Sequence, residues 1–254
     1  MSVQKQVSRG VPLDGGDCWR LLKIAEVAAQ LGVPDAVLGV WPYGVYLFAA
    51  NDLASQSWWF SGALRWRRVH TQSRRALIAP PAEIAHALSR VGGPRVRVGF
   101  GKDRARFLGP DGAVEVRGRT APSRDVDAIL VRGRGYGPIF AIVEFVVDEL
   151  RSAASGARGI LELRIFRSPG ADSKWEAYVV NGGSASPLQI KTLLEPERDI
   201  VGRYSAAVLG AVLSLRTEKH LGIMFTGSPE SPALLARWGE PDGIGVEFLM
   251  RPLG

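Results

Sequence analysis

Four times along this chain a short stretch with helical spacing of apolar residues gives way to short alternating segments broken by turn residues. The units begin near residues 17, 80, 145 and 203, two in each half. This repeat restricts the fold more than any single motif does. A helix of three turns is marginal alone and must bury one face on a neighbour. Strands that follow strands through short turns pair antiparallel. The expected class is therefore α+β: two similar domains of antiparallel sheet, each with two short helices laid on one face. Between the halves, residues 121–138 hold two prolines and three glycines around an apolar island, Ile129-Leu130-Val131. The expected organisation is a domain over 1–120, a connector over 121–138 and a second domain over 139–254.

In the first helix Asp17 reads as the N-cap and Gly32 as the stop. Leu21, Ile24, Ala25, Ala28 and Leu31 form its apolar stripe, with Arg20 and Lys23 outside it. The second helix starts at Pro80-Pro81 and stops at Gly92-Gly93. Ile84, Leu88 and Val91 point inward; Glu83, His86 and Arg90 point outward. The third turns Val147, Leu150 and Ala154 inward and Asp148 and Arg151 outward, with Arg158 just beyond. The fourth spans 203–215, with Arg203 at its start and Arg216 and Lys219 past its end.

The formal charge of +7 is uneven: residues 1–120 carry 17 Lys+Arg against 9 Asp+Glu, a net of +8, and residues 139–254 carry 12 against 14, a net of −2. A basic first half points to a polyanion or an acidic protein partner. Nothing in the chain gathers catalytic chemistry. Cys18 is the sole cysteine, and His70, His86 and His220 lack metal-ligand spacing. Asp148 and Glu149 are adjacent and so leave a helix in different directions. The expectation is a protein that is not an enzyme and needs no cofactor or metal. The first residues hold no apolar signal core, and the apolar windows "IFAIVEFVV" and "AAVLGAVLSL" are about half the ~20 residues that span a bilayer. A cytoplasmic, nucleoid-associated location without a membrane partner is expected.

Several short motifs then fall in a telling order. Tyr204-Ser205 opens a helix that contains Leu209; Pro232 leads "ALLARW"; a Glu-Pro-Asp-Gly turn at 240–243 precedes "VEFLMRP". In the first half, "GVYLFAANDLASQSWWF" carries Asp52 in a turn between strands. Together with the length, the connector and the four-helix repeat, this order resembles the DNA polymerase sliding clamps of the PCNA family, its archaeal members most. The resemblance implies a ring of three two-domain subunits, with helices lining a central hole and sheets forming the outer wall. Such a ring encircles double-stranded DNA without reading sequence. It tethers DNA polymerase, flap endonuclease and DNA ligase as a processivity factor in replication and repair, and a clamp loader places it on DNA.

On this resemblance the channel contacts would be Arg20, Lys23, His86, Arg90, Arg151, Arg158, Arg203, Arg216 and Lys219. A pocket for partner peptides would draw on Gln56, Trp58, Ile129, Leu130, Val131, Pro232, Leu249, Met250, Arg251 and Pro252. Gln56 and Trp58 stand where the family has aliphatic walls, and Arg251 where it keeps alanine. With the basic charge, these departures fit one subunit of a heterotrimer with other clamp subunits, joined through the edges "GAVEVRGRT" and "SKWEAYVVN". The alternative is a non-ring nucleic-acid-binding protein that docks through its basic N-terminal half.

Overall fold

The computed structural model describes residues 10–41, 44–51, 58–65, 75–93, 95–121, 137–169, 173–239 and 244–253. The chain forms two compact units: Met1–Leu53 with Phe60–Arg132 and Gly239–Val246, and Ala54–Trp59 with Gly133–Trp238 and Glu247–Gly254.

In chain order the elements begin β1 (Val11–Asp14), α1 (Gly15–Gln30), β2 (Ala36–Trp41), β3 (Gly44–Ala50), β4 (Trp58–Arg65), β5 (Arg75–Ala79), α2 (Pro81–Val91), β6 (Arg95–Phe100), β7 (Arg104–Gly109), β8 (Gly112–Arg117) and β9 (Arg119–Ala121). They continue β10 (Ile139–Val146), α3 (Val147–Gly156), β11 (Ile160–Arg167), β12 (Trp175–Asn181), β13 (Ser184–Leu188), β14 (Ile190–Leu194), β15 (Ile200–Ser205), α4 (Ala206–Leu213), β16 (His220–Ser228), β17 (Ser231–Gly239) and β18 (Ile244–Met250). The class is α+β with antiparallel sheets, as the repeat required.

The repeating element is a strand, a helix and three strands, so each repeat starts one strand before its helix. Each leading strand joins the sheet of its sister repeat: β1 pairs with β6 and β5 with β2, β10 pairs with β16 and β15 with β11. The first unit thus holds sheets β1-β6-β7-β8 and β4-β3-β2-β5-β9, and the second β13-β12-β11-β15 and β14-β10-β16-β17-β18. This exchange makes the two repeats of a unit interdependent, because each lends the other an interior ladder of hydrogen bonds.

Burial follows the alternation. In the first unit Val11, Leu13, Val96, Val98, Phe107 and Val116 are buried, as are Leu21, Ile24, Ala28, Ile84 and Leu88 of the helices. Helix α1 packs on β1, β3 and β6, and α2 on β7 and β8. At Gly62 a Cβ would run into the Ile24 side chain, so the bare backbone lets β4 and α1 approach. In the second unit α3 and α4 pack on one another.

Three local expectations are corrected. Asp14, not Asp17, caps α1: its Oδ1 accepts from Asp17 N at 2.8 Å, and Asp17 lies in the first turn. Helix α4 does not begin at Arg203. Residues 200–205 stay in the ladder with β11, where Arg203 faces Glu162, and Ser205 caps the helix by accepting from Val208 N. The β-branched pair Ile200-Val201 favours that strand. Finally, β12, the core of "SKWEAYVVN", is interior, because β13 pairs on its outer side; the edge there is β13. Strand β8, from "GAVEVRGRT", does lie at the edge of its sheet.

Candidate nucleic-acid interface

The four helices present different chemistry to solvent. On α1 the outward stripe holds Trp19, Arg20, Lys23, Glu26 and Gln30. Trp19 is 59% exposed, high for an indole. Lys23 Nζ sits 5.8 Å from the Trp19 ring centroid and 2.7 Å from Glu26, while Arg20 lies 3.6 Å from Asp17. These i,i+3 pairs are half-buried, and each contributes modestly. On α2, Glu83, His86, Ser89 and Arg90 are exposed. Helices α1 and α2 pack together, which gathers Arg20, Lys23, His86 and Arg90 on one helical layer of the first unit.

The second unit is different. The exposed positions of α3 are Asp148, Ser152, Ser155 and Gly156; α4 exposes Ala207, half-buries Gly210 and Ala211, and is followed by the exposed Ser214. Arg151 lies on α3, but its guanidinium is engaged inside the unit. Nη2 donates to Leu213 O at 3.0 Å and Arg216 O at 2.9 Å, and Nη1 donates to Asp148 Oδ1 at 2.8 Å. These carbonyls end α4, so Arg151 acts as its C-terminal cation. Arg216 has a 9% exposed side chain that bonds Glu218 and donates to His220 O at 2.8 Å. Arg158 and Lys219 are exposed in turns, and Arg203 is exposed on β15. Of the nine expected channel residues, four thus share one helical layer, two are tied into the fold, and three stand on turns or a strand.

The expected peptide pocket is partly outside the described residues: Gln56, Ile129, Leu130 and Val131 all fall there. Trp58, Pro232, Leu249 and Met250 are buried, Pro252 is half-buried and Arg251 is exposed. Pro232 O accepts from the buried Tyr204 hydroxyl at 2.7 Å, and burial pushes the Tyr204 phenol well above its usual range. The tail turns back so that Leu253 N donates to Arg203 O at 2.7 Å. Among the described residues no group of His, Cys, Asp and Glu is placed to hold a metal. No described helix is long and apolar enough to cross a membrane.

Two features went unread in the sequence. Trp19, in the first turns of α1, sits one helical turn before Lys23, and that spacing is the signal for the pair. The alternation "RVRV" in β6, with arginines in β7 and β8, places charge on one face of a sheet.

No protein-family model matches the chain, and no curated protein does. Solved structures do. The DNA polymerase III subunit beta of Pseudomonas aeruginosa superposes with a TM-score of 0.69 at 14% identity, over 96% of this chain and 66% of that one. The beta subunit of Streptococcus pyogenes DNA polymerase gives 0.67 at 15% identity, over 96% and 65%. A putative DNA polymerase III beta subunit of Eubacterium rectale gives 0.69 at 10% identity, over 96% and 65%. The chain therefore has the sliding-clamp fold, and it spans about 66% of the length of the first of these clamps. The similar structures are bacterial clamps, whereas the sequence motifs had pointed to the archaeal PCNA branch.

Proposed function

We propose that this chain is a subunit of a DNA sliding clamp, a non-enzymatic processivity factor that rings duplex DNA and tethers replication and repair enzymes. The observation that carries the reading is the clamp fold over 96% of the chain. The cationic layer of α1 and α2 supports it, since a sliding contact needs diffuse positive charge without base-edge readout. Because the chain has two units, a ring of the PCNA kind takes three subunits. Among the described residues, β8 in the first unit and β13 in the second each end a four-stranded sheet and are edges available to such assembly. Strand β13 contains Pro187, which has no N–H to give to a further strand. That weakens strand addition at β13; the heterotrimer reading rests on the basic charge of the first half and on Arg251. Polymerase, flap endonuclease, ligase and a clamp loader are the partners of this reading.

The test is topological. The protein is loaded onto nicked circular duplex DNA with the loader and sister subunits of its organism, and the circle is then cut. A clamp stays on the circle and leaves after cutting; equal retention on circle and linear DNA establishes the alternative, a docking protein without a ring. Sedimentation of the protein alone and mixed with sister subunits decides the assembly, and a stable homotrimer alone refutes the heterotrimer. Replacing the exposed Arg251 by alanine is expected to tighten a generic partner peptide in titration calorimetry, and an unchanged affinity refutes the pocket assignment.

A further inference from the structure

The face of sheet β1-β6-β7-β8 that turns away from the helices is an arginine grid. On β6, Arg95 and Arg97 are exposed while Val96 and Val98 are buried. On β7, Arg104 is exposed and Arg106 half-buried, while Ala105 and Phe107 are buried. On β8, Ala113, Glu115 and Arg117 are exposed while Val116 is buried. The register sets Arg106 opposite Glu115 and Arg104 opposite Arg117. The same strands pack their other face on α1 and α2. DNA held against those helices therefore cannot reach the arginines.

Cations outnumber carboxylates on this face. Arg95, Arg97, Arg104, Arg106 and Arg117, with Lys102 in a turn, make six cations against four carboxylates, Asp14, Asp103, Glu115 and Asp111 in the β7–β8 turn. Glu115 is shared by Arg104 at 3.1 Å and Arg106 at 3.8 Å, and Asp103 lies 3.7 Å from Arg104. Asp14 is opposite Arg95 but already caps α1. Arginines directly opposite on neighbouring strands, as Arg104 and Arg117 are, repel one another and destabilise an empty sheet.

We propose that this face binds the phosphodiester backbone of single-stranded nucleic acid, as a contact separate from the helical layer. Arginines two residues apart on a strand are about 6.8 Å apart, and neighbouring strands about 4.8 Å. The grid thus offers several forked donors suited to phosphate oxygens. Its other outward positions include Pro12, Gly99 and Ala113, and Leu108 is half-buried. An acidic protein segment would want a central aromatic anchor, and among the described residues the outward positions of this face offer only the half-buried Leu108, opposite Arg97. A duplex is a stiff rod that touches a flat sheet along a line, whereas a single strand can follow the grid.

The test compares two triple variants of the full chain, Arg95→Ala/Arg97→Ala/Arg117→Ala on the sheet and Arg20→Ala/Lys23→Ala/Arg90→Ala on the helices. Binding of a labelled oligothymidylate is followed by anisotropy over a salt series. Three lost phosphate contacts lower the slope of log affinity against log salt by about 2. The sheet variant is expected to show that loss and still be retained on circular duplex; the helix variant is expected to do the reverse. A triple Arg→Lys sheet variant should keep the salt slope, which separates lost charge from lost folding. An unchanged slope in the alanine sheet variant overturns the proposal. So does displacement of the oligonucleotide by polyglutamate at equal or lower charge concentration, which assigns the face to an acidic protein. Circle retention in the same experiment reports on the ring alone, so either reading can fail without the other.

Discussion

Arg151 separates a structural role from a DNA-binding one, and Arg151→Ala tests which it has. The substitution removes one ion pair and two hydrogen bonds to carbonyls. The Asp148 partner is 82% exposed, so the pair contributes little. The bonds to Leu213 O and Arg216 O are charge-assisted and part-buried. Each would contribute about 1.5–3 kcal/mol if fully enclosed. The Arg151 side chain is 35% exposed, which roughly halves that figure and leaves about 1.5–3 kcal/mol for the two together. Helix α4 is eight residues long with no basic residue in its last turn, so nothing else replaces this cation. At roughly 2–4 °C per kcal/mol for a chain of this size, the thermal midpoint should fall by about 3–12 °C. Hydrogen exchange should quicken over 206–216, while duplex affinity changes less than about twofold. Arg151→Lys keeps the charge but loses the fork, and should recover only part of the loss. A variant with an unchanged melting midpoint and a clear loss of duplex affinity refutes this account.

Gly202→Ala should destabilise the second unit by about 1–3 kcal/mol in denaturant melts, because a Cβ there overlaps the Tyr204 ring. Tyr204→Phe should cost a similar ~1–3 kcal/mol by leaving Pro232 O short of a donor, and the double variant should cost less than the sum. Asp14→Ala should lower stability by about 1 kcal/mol through the lost cap, whereas Asp17→Ala should cost less than half of that. Burial, with Asp17 and Asp14 nearby, raises the Cys18 thiol to about 11. At pH 8 roughly one molecule in a thousand carries the thiolate, so alkylation should be slow in the native protein and fast in denaturant. The raised value also means that stability from this group is present below the unfolded thiol range and is lost as pH rises towards 11. Native alkylation at the denatured rate would refute the burial.

The helices and most strands were legible because their signals are local. Pro81 opens α2, Gly32 at φ 72° closes α1, and the alternation of "RVRV" marks β6. What could not be read is long-range. Strand β1 is four residues with a proline in it, and it is a strand because β6 supplies the ladder, with Val11 opposite Val98. The same holds at Arg203, where pairing with Glu162 on β11 outweighs helical spacing. Cations were legible as types but not as commitments. Arg151 and Arg90 look alike in sequence, both near an apolar stripe. Only the packing of α3 on α4 brings the ends of α4 within reach of Arg151, while Arg90 stays exposed.

The strand exchange also explains the last residues. In the first unit β9 covers the outer side of β5, with Ala121 opposite Ala76. Strand β15 holds the place of β5 in the second unit, since it too leads a repeat and pairs with the first strand after the preceding helix. After β18 the chain lays Leu253 against β15 through the bond to Arg203 O, as β9 is laid against β5. The tail therefore closes an edge that would otherwise be open to another chain. Arg251 then falls at the corner that Gly118 occupies between β8 and β9, exposed and outside the ladder. The two units share their architecture down to this corner and differ in the charge of their helices. On the proposed clamp reading the first unit's α1 and α2 supply the cations for DNA, whereas the second unit's α3 and α4 expose serine, alanine and Asp148. That difference predicts that removing Arg20, Lys23 and Arg90 abolishes most of the salt dependence of duplex binding, and that removing Arg158 and Lys219 leaves most of it in place.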